Sequence, residues 1–237
     1  MKRFFLFLVL AVALVGASSC KKINGKGDVV SEKRDISGYS GISLSCEGDV
    51  YYTPDSVYSL EILAQQNIID VIETYTDGGT LIIKVRDHYV IGKHDPVTIN
   101  ISAPHVSYFN VSGSGAFHLR NVIEEPAIEF GISGSGNISA STIYANDLNA
   151  TISGSGNVSA IAGTANFEHL NISGSGDIDF VNIVADTVYA TISGSGDIKV
   201  NVIKLLDGTI SGSGSIGYLG NPVVNSHISG SGSIYHL

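Results

Sequence analysis

The sequence predicts an all-β fold, a β-solenoid of the single-stranded, right-handed parallel β-helix type with an N-terminal strand-rich capping region. Three observations carry this. The motif Ser-Gly-Ser-Gly occurs seven times, starting at Ser112, Ser133, Ser153, Ser173, Ser193, Ser211 and Ser229, with spacings of 18 to 21 residues. An aliphatic residue precedes every copy (Val111, Ile132, Ile152, Ile172, Ile192, Ile210, Ile228), and an apolar one stands five residues after its first serine (Phe117, Ile138, Val158, Ile178, Ile198, Ile216, Ile234). With two cysteines in 237 residues, a disulfide framework is not the source of stability.

A period near 20 residues sustained over seven copies is the mark of a solenoid, where each unit buries its apolar face only by stacking on its neighbours. The two apolar columns lie six residues apart, an even number, so in a strand both face inward. That register turns both glycines of each motif inward and both serines outward. A coil of this length holds two or three short strands with their turns. Parallel stacking places equivalent residues above one another, and the outward columns become side-chain ladders.

In chain order, Met1-Lys2-Arg3, the apolar run Phe4–Val15 and the small residues before Cys20 have the layout of a signal peptide over residues 1–19. The apolar run falls short of the roughly 20 residues a membrane span requires. Cys20 follows small residues as the lipidated cysteine of a bacterial lipoprotein does, and is the expected lipid attachment site; a Cys20–Cys46 disulfide in a soluble periplasmic protein is the rival. Residues 20–35 are polar and carry Gly25 and Gly27, which suits a flexible lipid-anchored tether. Residues 36–110 read as strands broken by Pro54, Pro96 and Pro104, with a hairpin across Asp77-Gly78-Gly79 and a short helical turn near 67–72. Residues 111–237 are the β-helix repeats, and the last coil, which carries no polar capping segment, is a candidate self-association edge.

Charge restricts the partners. Loss of Lys2 and Arg3 with the leader takes the formal charge from −9 to −11, and beyond residue 100 the only Lys or Arg are Arg120, Lys199 and Lys204. No basic stripe exists to hold a nucleic acid. The column after the motif includes Asn137, Asn157, Asp177 and Asp197, with Asp179 two residues along. This ladder is the candidate cation or ligand site. Stacked carboxylates need a cation, a proton or a hydrogen-bond donor between them, yet Ca²⁺ prefers six to eight oxygens, so a solvated ladder competes and no metal or cofactor is assigned. No activated nucleophile or catalytic histidine spacing is visible, and the chain reads as a non-enzyme with no catalytic residues.

At Ser45-Cys46-Glu47-Gly48-Asp49-Val50, the hairpin Tyr75–Val85 and the serial Ile-Ser-Gly-Ser-Gly-Asp-Ile units, the chain resembles the auto-transporter adhesin "head GIN" domain family. This domain of unknown function is common in envelope lipoproteins of Bacteroidetes. The resemblance covers about residues 36–237 and implies a β-helical fold and an exported location. The function expected is an adhesin-like scaffold in the cell envelope, on an outer-membrane lipid anchor, binding glycan or protein. The alternatives are a structural or stress-linked envelope component without a ligand and, behind it, a polysaccharide-active β-helix enzyme.

Overall fold

The computed structural model describes residues 20–237; the expected signal peptide lies outside them. Strands β1 (Lys21–Ile23), β2 (Val29–Arg34), β3 (Gly41–Ser45), β4 (Asp49–Pro54) and β5 (Ser59–Gln65) precede a single helical turn, α1 (Gln66–Ile69). The hairpin β6 (Ile72–Asp77) and β7 (Thr80–Val85) follows, then β8 (Tyr89–Ile91), β9 (Thr98–Ala103) and β10 (Tyr108–Gly113). Five extended strands each wrap a coil: β11 (Ala116–Gly134), β12 (Asn137–Gly154), β13 (Asn157–Gly174), β14 (Asp177–Gly194) and β15 (Asp197–Gly212). Shorter strands β16 (Ser215–Leu219), β17 (Val223–Gly230) and β18 (Ser233–His236) complete the column. Strand makes up 73% of the structure and the stack has about six turns, a parallel β-solenoid.

The stacking follows the repeat. Ile132, Ile152, Ile172, Ile192 and Ile210 pair in successive registers, as do Ile138, Val158, Ile178, Ile198 and Ile216. Both columns are buried. In β12 the buried positions are Ile138, Ala140, Ile143, Leu148, Ala150 and Ile152. The inward alternation breaks after 140 and again before 148, which divides each coil into three walls. The first follows the motif, the second spans about 142–145, and the third runs from about 147 into the next motif.

Large and small residues alternate along the interior. Phe130 of β11 meets Phe180 of β14 at 6.5 Å between ring centroids, across two intervening coils. Ala150, stacked on Phe130, and Ala160, stacked beside Phe180, leave that room. Toward the N-terminal end Tyr52, Phe109 and Phe117 continue the aromatic packing. Full burial of each such side chain contributes about 1.5–3 kcal/mol.

The glycines depart from the inward register by half. The second glycine of each repeat, such as Gly136, Gly156, Gly176 and Gly196, is buried as expected. The first turns the corner instead: Gly113, Gly134, Gly154, Gly174, Gly194, Gly212 and Gly230 have φ between +121° and +141°. A Cβ on Gly174 would overlap the Gly154 carbonyl, and one on Gly176 the Gly156 carbonyl. Both positions therefore demand glycine, one for conformation and contact, the other for contact alone.

Two boundaries move. Residues 20–35 do not form a free tether. β1 pairs in parallel with β8, β2 pairs antiparallel with β5, and the Arg34 guanidinium donates to the Ile72 and Ile69 carbonyls at 2.7 and 3.2 Å. The solenoid also starts before residue 111. β3 stacks on β10 and β4 on β11, with Leu44 opposite Val111 and Asp49 opposite Ala116. Ser45-Cys46-Glu47-Gly48 thus occupies the place of a Ser-Gly-Ser-Gly corner, a further and degenerate copy. The hairpin and the helical turn lie where the sequence indicates them.

Cys20 is exposed and Cys46 buried, and both are free thiols. Burial, then the neighbouring Glu47 charge, pushes the Cys46 thiol up to about 12, which leaves it an inert packing residue.

Candidate functional site

The predicted ladder forms, and its oxygens have work within the fold. Asn137 Oδ1 accepts from the Asn157 backbone N–H at 3.1 Å and Asn157 Oδ1 from that of Asp177 at 3.1 Å. Asp177 Oδ1 accepts from Asp197 at 2.9 Å, and Asp197 Oδ1 from Ser215 at 2.8 Å. Each side chain thus satisfies a corner N–H of the next coil, and those N–H donors let two carboxylates stand one coil apart. Asp179 lies beside this chain of bonds; it accepts from the Val181 N–H at 3.3 Å and faces Lys199 across one strand pair. Among the described residues no group of three or more His, Cys, Asp or Glu side chains is placed to hold a metal.

The ladder makes a discriminating prediction. Asp177→Asn keeps the acceptor oxygen and should leave stability within about 0.5 kcal/mol, whereas Asp177→Ala should cost about 1 kcal/mol by stranding the Asp197 N–H. Chemical denaturation of the two variants measures the difference. Equal effects would show that the side-chain acceptor is idle.

Further along the same wall, toward the N-terminal end, the stack brings together residues that the sequence leaves scattered. His118 Nε2 lies 3.2 Å from Asp49 Oδ1 and its Nδ1 3.1 Å from Ser139 Oγ. The outline is that of an acid, a base and a hydroxyl, but the Ser139 hydroxyl donates to the Phe117 carbonyl at 3.3 Å. The hydroxyl lies within hydrogen-bond reach of both that carbonyl and the imidazole. Tyr51 stacks on His118 at 4.8 Å, and the Arg120 guanidinium lies over the Tyr51 ring at 4.1 Å. A shallow cleft of about 400 Å³ beside them is lined by Tyr51, Asp55, Glu61, Asn100 and Arg120. No sequence spacing reveals this cluster, because Asp49 and Tyr51 join His118 only through the degenerate first corner.

The third wall has a different character. Its outward columns are Thr151, Asn171, Thr191 and Thr209, then Ser133, Ser153, Ser173, Ser193 and Ser211, in unbroken register from β11 to β15. The motif's second serines, Ser135, Ser155, Ser175, Ser195 and Ser213, continue it around the corner, all exposed. Among the described residues none of these side chains hydrogen-bonds to another protein group, in contrast to the Asn/Asp ladder. Tyr189, stacked on His169 at 5.1 Å with ring planes 10° apart, stands beside the threonine column.

One buried polar group lies on the inward side of the third wall, near its start. Glu168 takes an inward position between Leu148 and Val188, is fully buried, and neither carboxyl oxygen has a hydrogen-bond partner. Burial raises its pKa well above the ordinary carboxylate value. Sequence alone makes Phe167 the better core residue, yet Phe167 is 40% exposed.

The family model described as "Putative auto-transporter adhesin, head GIN domain" matches residues 38–222. A crystal structure of a putative adhesin from Bacteroides fragilis is 25% identical, with a TM-score of 0.85, and covers 91% of this chain and 100% of its own. One described as a putative lipid binding protein, from Parabacteroides distasonis, is 25% identical with a TM-score of 0.75, covering 92% and 100%. A putative adhesin from the same species, 18% identical with a TM-score of 0.75 and covering 92% and 100%, shows the shared fold. Among curated proteins there is no match. No helix among the described residues is long and apolar enough to cross a membrane.

Proposed function

We propose, from the premise that this chain belongs to the auto-transporter adhesin, head GIN domain family, that it is an exported binding scaffold, held to the cell envelope through lipid on Cys20. The observation that carries the reading is the rigid column itself, whose long polar walls repeat one side-chain arrangement coil after coil. Such a surface suits an extended glycan or protein ligand, because preformed walls lose little entropy on binding. The neighbours' names point the same way. A lipid, suggested by the Parabacteroides distasonis neighbour's name, finds its natural place at the anchor, since the interior is filled by Phe109, Phe117, Phe130, Phe180 and the isoleucine columns.

Cys20 is exposed at the start of the described chain, which suits an acylated thiol. In cells fed an alkyne fatty acid, the wild-type protein should be labelled and sediment with membranes. Cys20→Ala should be unlabelled and soluble, and equal membrane retention of that variant would refute the anchor. Residues 20–237, purified without lipid, should bind an envelope or host glycan or protein saturably; absence of saturable binding would refute the scaffold.

A further inference from the structure

We infer that the third wall is the binding face of this scaffold and that its ligand is an extended, neutral polysaccharide; the inference rests on the binding-scaffold reading. The first ground is the state of the hydroxyls. On the first wall the polar oxygens are engaged with the backbone, while the Thr and Ser columns of the third wall are untied and, apart from the half-buried Thr209, exposed. A hydroxyl both donates and accepts, and sugar hydroxyls do the same, so either surface satisfies the other without a fixed polarity.

The second ground is periodicity. Successive coils repeat about every 4.8 Å along the stack, and outward residues recur about every 6.6 Å along each strand. Five coils in register, from Ser133 through Ser211, present one environment again and again. A polymer of like units is the ligand that can use every row. Each hydroxyl pair contributes only about 0.5–1.5 kcal/mol, but rows engaged by one chain act together.

The third ground is charge and apolar content. The Thr/Asn column and both Ser columns carry no charged residue from β11 to β15, in a chain of net charge −9 whose neighbouring column includes Glu129 and Asp207. Those carboxylates repel an anionic polymer, and a neutral one meets no penalty. The columns also hold no Leu, Trp, Phe or Arg to anchor a protein interface. The Tyr189 ring, 42% exposed on its His169 partner, supplies the apolar face on which the C–H side of a sugar ring can lie.

Affinity electrophoresis of the described chain through gels containing a mixed-linkage β-glucan, a galactomannan, a xyloglucan or polygalacturonate tests this. At least one neutral polymer should retard the wild-type protein and polygalacturonate should not. The double variant Thr151→Glu/Thr191→Glu should weaken retardation at least about tenfold, as expected for several rows lost together. Thr151→Ser/Thr191→Ser should stay within about threefold, because the hydroxyls remain, and Asp179→Ala on the first wall should match wild type. Equal thermal melts show that the variants remain folded. Retention by the glutamate variant equal to wild type, or no retardation by any neutral polymer, overturns the inference. If a protein ligand is then captured, the scaffold reading survives without it; if nothing binds, both fall.

Discussion

Glu168→Leu should stabilise the protein by about 3 kcal/mol at neutral pH, because it replaces an unpartnered polar group inside an apolar core with a side chain matching Leu148 and Val188. For a chain of this size that is a rise in Tm on the order of 10 °C. The gain should also depend on pH. Glu168 keeps its proton in the fold, because burial raises its pKa well above the ordinary 4.5. The unfolded chain releases that proton above the ordinary value. The unfolded state then binds fewer protons than the native state, and stability falls as pH rises from about 4.5 toward the folded pKa, by about 1.4 kcal/mol per pH unit. The melting difference between Glu168→Leu and wild type should therefore widen from pH 4.5 to pH 8. Glu168→Gln removes the titration but leaves a buried amide, so it should abolish the pH trend without the full gain. A difference that stays flat across this range would show that Glu168 reaches solvent.

Gly176→Ala should be among the most damaging single-methyl additions in the molecule. The added Cβ would overlap the Gly156 carbonyl oxygen and press on Ile152 Cγ2 at 2.9 Å, and the coil beneath is fixed by its own stacking. Relief requires separating two coils along many hydrogen bonds, a cost above about 4 kcal/mol. Gly208→Ala offers the comparison. Its Cβ would meet only the tips of Ile234 and Ile216, at 2.6 and 3.2 Å, and flexible side-chain ends can shift. Far-UV circular dichroism, soluble yield and limited proteolysis should show the first variant unfolded or trimmed and the second near wild type. Comparable behaviour of the two would mean that the glycine column is not a steric necessity.

The repeat made most of this architecture legible. Isoleucine spacing fixed the two inward columns, and the Asp77-Gly78-Gly79 signal placed the hairpin, because both depend on local periodicity. The first corner was hidden, since Cys46 and Glu47 replace a glycine and a serine, and only pairing with β10 and β11 exposes it. Residues 29–34 resembled a tether because β2 is an edge strand with no apolar alternation; Val29 and Val30 are both exposed. The register of the motif's first glycine failed because a positive φ breaks the alternation on which it relied. The candidate ladder was placed correctly as a column, but whether its oxygens face a ligand or a backbone N–H is decided by the corner geometry, which spacing does not encode. Glu168 escaped notice for a similar reason: two successive residues, Phe167 and Glu168, compete for one inward position, and the corner before them decides.

The pairing of the first strands has a mechanical consequence. A load applied at Cys20 enters the molecule through three residue pairs between β1 and β8, then through six between β2 and β5, before it reaches the column. Each of the middle coil interfaces holds 13 or more such pairs. Under tension the N-terminal segment would peel first and pay out slack, and the coils that present the side-chain columns would remain stacked. The protein carries its own fuse at the end where it would be pulled.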